Sequence, residues 1–209
     1  MWILPTRGRP DLAQRVFSLA PPTAPGVMVV DEDQVDAYSA VSLPIGWQRL
    51  VLPRLYLAEK LNATVERFPG AGFYGIVNDD MLPASPAWDI TLPLVADRWK
   101  IAWADDELNG RIGAAAFGGD LVRALGWLAP PALKHFYIDD AHELVAHDLG
   151  IGRPMMNVKI AHLHFSTGKA AYDRTYKDRP NIGTDKVAFD HWKSEEWPAE
   201  KARLRALIR

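Results

Sequence analysis

The chain has 209 residues, 48% of them hydrophobic and 24% charged, the balance of one compact soluble domain with a sizeable core. A formal net charge of -2 excludes an overall basic field that would draw the chain to nucleic acid or anionic lipid. Cysteine is absent, which excludes disulfides, cysteine zinc sites and thiol nucleophiles and fits a reducing compartment.

Met1-Trp2-Ile3-Leu4 reads as a short buried strand, broken by Pro5-Thr6-Arg7-Gly8-Arg9-Pro10. Residues 11–20 place Leu12, Val16 and Leu19 at helical spacing, and Pro21, Pro22 and Pro25 end that helix. Gly26-Val27-Met28-Val29-Val30 is apolar throughout, as a strand covered on both faces is, and runs into Asp31-Glu32-Asp33. Residues 48–52 predict a third strand, and 55–68 a helix with Leu57, Leu61 and Val65 on one face. Phe73-Tyr74-Gly75-Ile76-Val77 predicts a strand leading into Asn78-Asp79-Asp80. Residues 86–99 predict a helix interrupted by Pro93, and 100–104 a strand ending in Asp105-Asp106. Further on, 118–125 predict a short helix and 126–131 a loop. Residues 139–149 predict a helix stopped by Gly150, 155–165 a strand, and 184–197 and 199–208 two charged helices. No apolar run approaches the ~20 residues that span a bilayer, and no long apolar stretch follows a basic start in the first ten residues. The expectation is a soluble cytoplasmic protein, one domain over 1–209, without stable membrane insertion.

Strand–helix alternation over the first hundred residues predicts an α/β fold with a mostly parallel central sheet flanked by helices. Ligands of such sheets sit beyond the carboxyl ends of the strands. Three polar clusters fall there, at residues 6–9, 31–33 and 78–80.

Asn78-Asp79-Asp80 carries the most chemistry. Adjacent carboxylates repel unless a cation or solvent compensates, and hard oxygen ligands suit Mg²⁺ or Mn²⁺, which in turn bind phosphate oxygens. A solvated turn is the plain alternative; alignment with the other two clusters favours the metal. In Thr6-Arg7-Gly8-Arg9, both arginines suit a phosphate or a nucleobase edge, and the start of the next helix favours anions; two exposed arginines in a turn is the plain reading. His162 and His164 are two apart in a strand-like run, so they share a face. Either imidazole with Asp80 would make a mixed site compatible with Mn²⁺, with His164 preferred because a loop follows it; packing in the interior is the alternative. Lys169, Arg174 and Lys177 lie in a basic segment that would either stabilise a leaving group or form a surface loop. Gly168-Lys169 lacks the glycine spacing of a P-loop. Asp105-Asp106-Glu107 reads as a solvated turn, and Trp103 and Trp127 as core residues.

The order of these features resembles family 2 glycosyltransferases and their GT-A relatives. The opening strand with Pro-Thr-Arg-Gly-Arg-Pro resembles the start of that fold, and Val29-Val30-Asp31 its second strand, whose acidic end reads the nucleotide base. Ile76-Val77-Asn78-Asp79-Asp80 resembles the DXD region that holds metal and diphosphate. Gly119-Asp120-Leu121 through Gly126-Trp127-Leu128 resembles an acceptor-side stretch. Tyr137-Ile138-Asp139-Asp140 before a helix resembles the Glu-Asp motif, whose Asp is the catalytic base. Two positions depart from the pattern: Asn78 replaces an Asp, and Asp139-Asp140 stands for Glu-Asp, with Asp140 aligned to the base.

The resemblance implies a GT-A fold and an inverting, metal-dependent glycosyltransferase. Residues 1–100 would form the nucleotide-sugar half, and 101–209 the acceptor half with the C-terminal helices. Asp140 and Asp139 would be catalytic. Thr6, Arg7, Arg9, Asp31, Asn78, Asp79, Lys169 and Arg174 would bind the nucleotide sugar. Asp80, His164 and His162 would hold Mn²⁺ or Mg²⁺. The donor is a nucleotide sugar, and the acceptor a saccharide, a small molecule or a modified DNA base. Similar short forms occur among phage proteins, and Lys201, Arg203, Arg205 and Arg209 offer positive charge for a DNA acceptor or a solvated helix face. A metal-dependent phosphoesterase or nucleotidyltransferase using the same acidic cluster, and a non-enzymatic binding module, are the other readings.

Overall fold

The structure, a computed structural model, describes residues 1–107, 111–165, 168–170 and 172–208; the side chains of Arg174 and Tyr176 are outside the description. Its strands are β1 (Trp2–Thr6), β2 (Gly26–Asp31), β3 (Trp47–Leu52), β4 (Phe73–Ile76), β5 (Met81–Pro83), β6 (Ile101–Asp105), β7 (Ala115–Gly118) and β8 (Gly152–His162), in the spatial order β3-β2-β1-β4-β7-β6-β8-β5. Strands β3, β2, β1 and β4 run parallel. Strand β7 lies antiparallel between β4 and β6, while β8 is parallel to β6 and antiparallel to β5. This is the mixed, mostly parallel sheet that the sequence predicts.

The helices are α1 (Pro10–Leu19), α2 (Leu57–Arg67), α3 (Trp88–Ala96), α4 (Gly119–Leu125), α5 (Ile138–Leu149), α6 (Arg174–Lys177), α7 (Ile182–His191) and α8 (Trp197–Leu207). They cover both faces, which is why β1 and β2 are buried along their whole length. Alternate strand residues point to opposite faces. Ile3, Val27 and Val29 pack in one core with Leu61 of α2, Leu121 of α4 and Val145 of α5. Trp2, Leu4, Met28 and Val30 pack in the other with Val16 and Phe17 of α1 and Trp88 and Leu92 of α3. Burial of each such large side chain contributes about 1.5–3 kcal/mol before the entropy of ordering it.

The structure corrects several boundaries. Helix α3 keeps Pro93 inside it. Proline has no N–H to offer the carbonyl four residues back; that carbonyl, of Asp89, accepts a hydrogen bond from Trp2 Nε1 at 2.8 Å instead. Strand β7, with sequence AAFG, lies where only a helix start was predicted. It crosses close to the end of α3, where a Cβ on Gly118 would stand 2.3 Å from the Arg98 backbone. Strand β8 begins three residues before the predicted strand and ends at His162, so His164 lies beyond it. The two predicted C-terminal helices are joined by a π-helical turn, Trp192–Glu196, which turns Trp192 and Trp197 into the core with Trp127. Among the described residues, no helix is long and apolar enough to cross a membrane.

Candidate active site

The carboxyl ends of β1, β2 and β4 bring the three predicted polar clusters together. Arg7 Nη1 donates to Asp31 Oδ2 and to Asp33 Oδ1, both at 2.7 Å, and Lys60 Nζ of α2 lies 2.7 Å from Asp31 Oδ1. Asp31 is fully buried, so these two cations compensate its charge inside the protein. Thr6 Oγ1 donates to Asp79 Oδ2 at 2.7 Å and meets Tyr38 Oη at 2.7 Å. Burial lifts the Asp79 carboxyl to about 6, with Asp80 beside it adding to the rise and Arg9 opposing it. The buried Arg9 reaches Asp79 at 3.3 Å and Asp80 at 3.4 Å, and grips Asp173 through Nε at 2.7 Å and Nη2 at 3.0 Å. Thr175 Oγ1 donates to the carbonyl of Arg7 at 3.1 Å, so the late segment lies against the turn after β1.

A cavity of about 400 Å³ opens beside this cluster, lined by Asn78, Asp80, His162 and His164 and by Asp139 and Asp140 among others. Pairing of Met81 with His162 across β5 and β8, and a 2.7 Å bond from Leu163 N to the Asp80 carbonyl, bring the histidines to Asp80. His162 Nε2 lies 3.6 Å from Asp80 Oδ1, and its Nδ1 lies 3.2 Å from Asp106 Oδ2. The rings of His162 and His164 are 5.5 Å apart. Asp106, expected in a solvated turn, is instead only 2% exposed. Gly113 makes room for it: a Cβ there would stand 2.4 Å from Asp106 Oδ2.

The start of α5 supplies the two candidate bases. The buried carboxylate of Asp185 accepts backbone N–H groups of Lys134 at 3.2 Å, His135 at 2.8 Å and Phe136 at 2.7 Å. That clamp fixes the loop leading to Tyr137, which takes the left-handed conformation at φ 63 just before the helix. Asp139 and Asp140 fall in the first turn, where the helix dipole favours negative charge. Arg111 Nη2 lies 2.6 Å from Asp140 Oδ1 and 3.4 Å from Asp139 Oδ2. The cavity walls desolvate Asp139 and raise its carboxyl, against the pull of Arg111 and with help from Asp140. Burial pushes the imidazoles of His135 and His142 down to about 4, so both are neutral at pH 7.

The remaining predicted residues fall elsewhere. Lys169 pairs with Glu107 on the surface. Arg174 begins α6, and its side chain lies outside the described residues. Asp120 pairs with Arg98 and Arg123, Trp127 is buried, and the stretch likened to an acceptor side contributes nothing to the cavity lining. Lys201 Nζ, at 2.9 Å from Asp148 Oδ2, and Arg205, at 2.8 Å from the Asp148 carbonyl, tie α8 to the end of α5; Arg209 lies outside the described residues. Asp106, Arg111 and Asp185 belong to the site, and sequence reasoning missed all three roles, because each is defined by partners 28 to 56 residues away.

Among the described residues, no three His, Asp or Glu side chains form a group able to hold a metal. Two donors do come together, Asp80 Oδ1 and His162 Nε2. A carboxylate oxygen with an imidazole nitrogen suits Mn²⁺, and a carboxylate on the other ring nitrogen is the usual support of a ligating histidine. The residues therefore fit a divalent cation that takes its other ligands from a bound molecule.

This architecture is a GT-A-like fold. A mannosyltransferase from Pyrobaculum calidifontis, solved with GDP-Man and Mn²⁺, shares 14% identity over 98% of this chain and 72% of its own, with a TM-score of 0.58. Glucosyl-3-phosphoglycerate synthase from Mycobacterium tuberculosis, solved with Mg²⁺ and UDP, shares 12% identity over 78% of this chain and 70% of its own, with a TM-score of 0.56. No protein-family profile and no curated protein matches the sequence.

Proposed function

We propose that the chain is a glycosyltransferase that moves a sugar from a nucleotide-sugar donor to an acceptor hydroxyl with inversion. One observation carries this reading: in a fold shared with two nucleotide-sugar enzymes, a single cavity is lined by both the Asp80–His162–His164 group and the Asp139–Asp140 pair. Residues 1–100 supply most of the donor site: Asn78 lines the cavity and would face the diphosphate, and the paired Arg7 and Asp31 shape the strand ends on the nucleotide side. Thr6, Arg9 and Asp79 act from beneath by fixing those ends. Residues 101–209 receive the acceptor. A divalent cation, Mn²⁺ or Mg²⁺, held by Asp80 with His162 or His164, would neutralise part of the diphosphate charge. Arg174 follows Asp173, which Arg9 holds, and together with Lys169 it would meet the diphosphate.

The acceptor oxygen attacks the anomeric carbon, its proton passes to a carboxylate, and the bond to the diphosphate breaks. Asp140 aligns with the family base, but Arg111 occupies one of its oxygens at 2.6 Å. Asp139 stands farther from Arg111, at 3.4 Å, so its carboxylate is the freer of the two to take a proton. Asp139 is therefore the base of this reading, with Asp140 and Arg111 orienting it. Incubation with a panel of nucleotide sugars and Mn²⁺ tests the proposal: one donor releases its nucleoside diphosphate faster when an acceptor is present. Release of pyrophosphate from a nucleoside triphosphate and a sugar phosphate, with none from any nucleotide sugar, would make the chain a nucleotidyltransferase instead.

A further inference from the structure

We propose that Asp106 is a positioning residue, whose carboxylate holds the Nδ1–H of His162 and turns Nε2 toward Asp80, so that these two side chains form the protein's part of the divalent-cation site. The inference rests on the nucleotide-sugar reading above and assigns a task to a residue which that reading leaves idle. Asp106 is 2% exposed and lies at the end of β6, beyond the segment that pairs in register with β8. A carboxylate at that depth is costly unless its oxygens are partnered. The oxygen at 3.2 Å from His162 Nδ1 fixes the hydrogen on that nitrogen and leaves the Nε2 lone pair outward. Nε2 and Asp80 Oδ1, at 3.6 Å, are too far apart for a good hydrogen bond. Two ligands of one cation at about 2.1 Å each stand about 3 Å apart, so a small adjustment brings both onto the same ion.

Gly113 gives the arrangement an independent handle. A Cβ at residue 113 would lie 2.4 Å from Asp106 Oδ2 and 3.1 Å from Met81 Cε. The glycine is there for space, and an alanine displaces the Asp106 carboxylate without removing its charge. Asp105, one residue earlier, pairs with Lys159 rather than with His162, which makes it a control for charge alone.

The experiment is calorimetric titration of Mn²⁺ into the full chain, alone and with UDP or GDP present, alongside ¹⁵N NMR of the histidine rings. Asp106→Asn and Gly113→Ala are expected to weaken Mn²⁺ binding about 10–100-fold, and both shift the His162 ring away from a single Nδ1–H tautomer. Asp105→Asn stays within about twofold of wild type. Should Asp106→Asn fail to fold, Gly113→Ala alone decides the matter. Wild-type Mn²⁺ affinity in the folded variants overturns the role of Asp106 and leaves the donor site standing. Absence of Mn²⁺ binding by the wild type, with or without a nucleoside diphosphate, overturns the donor site and this role with it.

Discussion

The ends of β1 and β2 and the cavity beside β5 and α5 carry the same kinds of side chain, yet the fold uses them differently. At the strand ends the carboxylates are already answered. Asp31 has Arg7 and Lys60, Asp79 has Thr6 and Arg9, and Asp173 has Arg9. In the cavity, Asp80, Asp139 and Asp140 border about 400 Å³ of space. A saturated cluster fixes geometry, whereas carboxylates beside open volume can meet a substrate. Residue type alone does not separate the two cases, and neither does pairing, since Arg9 also reaches Asp80 and Arg111 reaches Asp139 and Asp140; the open volume does.

The sharpest break of this comparison comes from the cavity. Asp139→Asn is expected to lower kcat about 10²–10⁴-fold, the range of a lost general base, while Asp140→Asn costs about tenfold and neither moves the urea midpoint. A larger loss in Asp140→Asn would return the base to that residue. On the saturated side the order inverts, and stability is what fails. Arg9→Ala leaves Asp79 and Asp80 without their buried cation and is expected to cost about 3–5 kcal/mol in urea unfolding. A cost under about 1 kcal/mol would mean that the cluster tolerates an unpaired charge.

His142, which lines the cavity and bonds the Leu128 carbonyl at 2.8 Å, links the two regions through pH. Its folded pKa of about 4 lies below the unfolded value of 6.5. The unfolded chain therefore binds the extra proton, and stability falls by up to about 3 kcal/mol as pH drops from 6.5 toward 4. Asp79 acts in the opposite sense, since its raised carboxyl contributes stability at low pH that is lost as pH rises through about 6. Comparing His142→Gln with wild type at pH 4.5 and 7 isolates the imidazole: the variant loses less on acidification. The smallest effect belongs to the C-terminal basic residues. Lys201→Ala removes a partly exposed pair with Asp148 and is expected to cost no more than about 1 kcal/mol in the same unfolding assay.

Much of the fold was legible in the sequence because it is written locally. The continuous apolar strands at 26–30 and 73–77, and the helical spacing of Leu57, Leu61 and Val65, each need only neighbours to be read. Strand β7 was not legible, since AAFG carries little strand propensity and its Gly118 answers to the Arg98 backbone. Strand β5 has three residues, too few for a period. Spacing puts the two histidines on one strand face, but β8 ends at His162, and the cavity rather than the strand unites them. Asp106 looked like any acidic turn, because the imidazole that gives it meaning lies 56 residues later. Asp31 was legible as a strand-end acid, but not its burial under Lys60, whose helix showed only its apolar face in the sequence.

The central claim is that a nucleoside diphosphate and a divalent cation bind together at Asp80. Thermal unfolding of wild type and Asp80→Asn with UDP or GDP, each with and without Mn²⁺, tests it most directly. The expected result is a rise in Tm for wild type that requires both nucleotide and Mn²⁺ and is absent in Asp80→Asn. An equal rise in the two proteins, or none with any nucleotide in wild type, would contradict it.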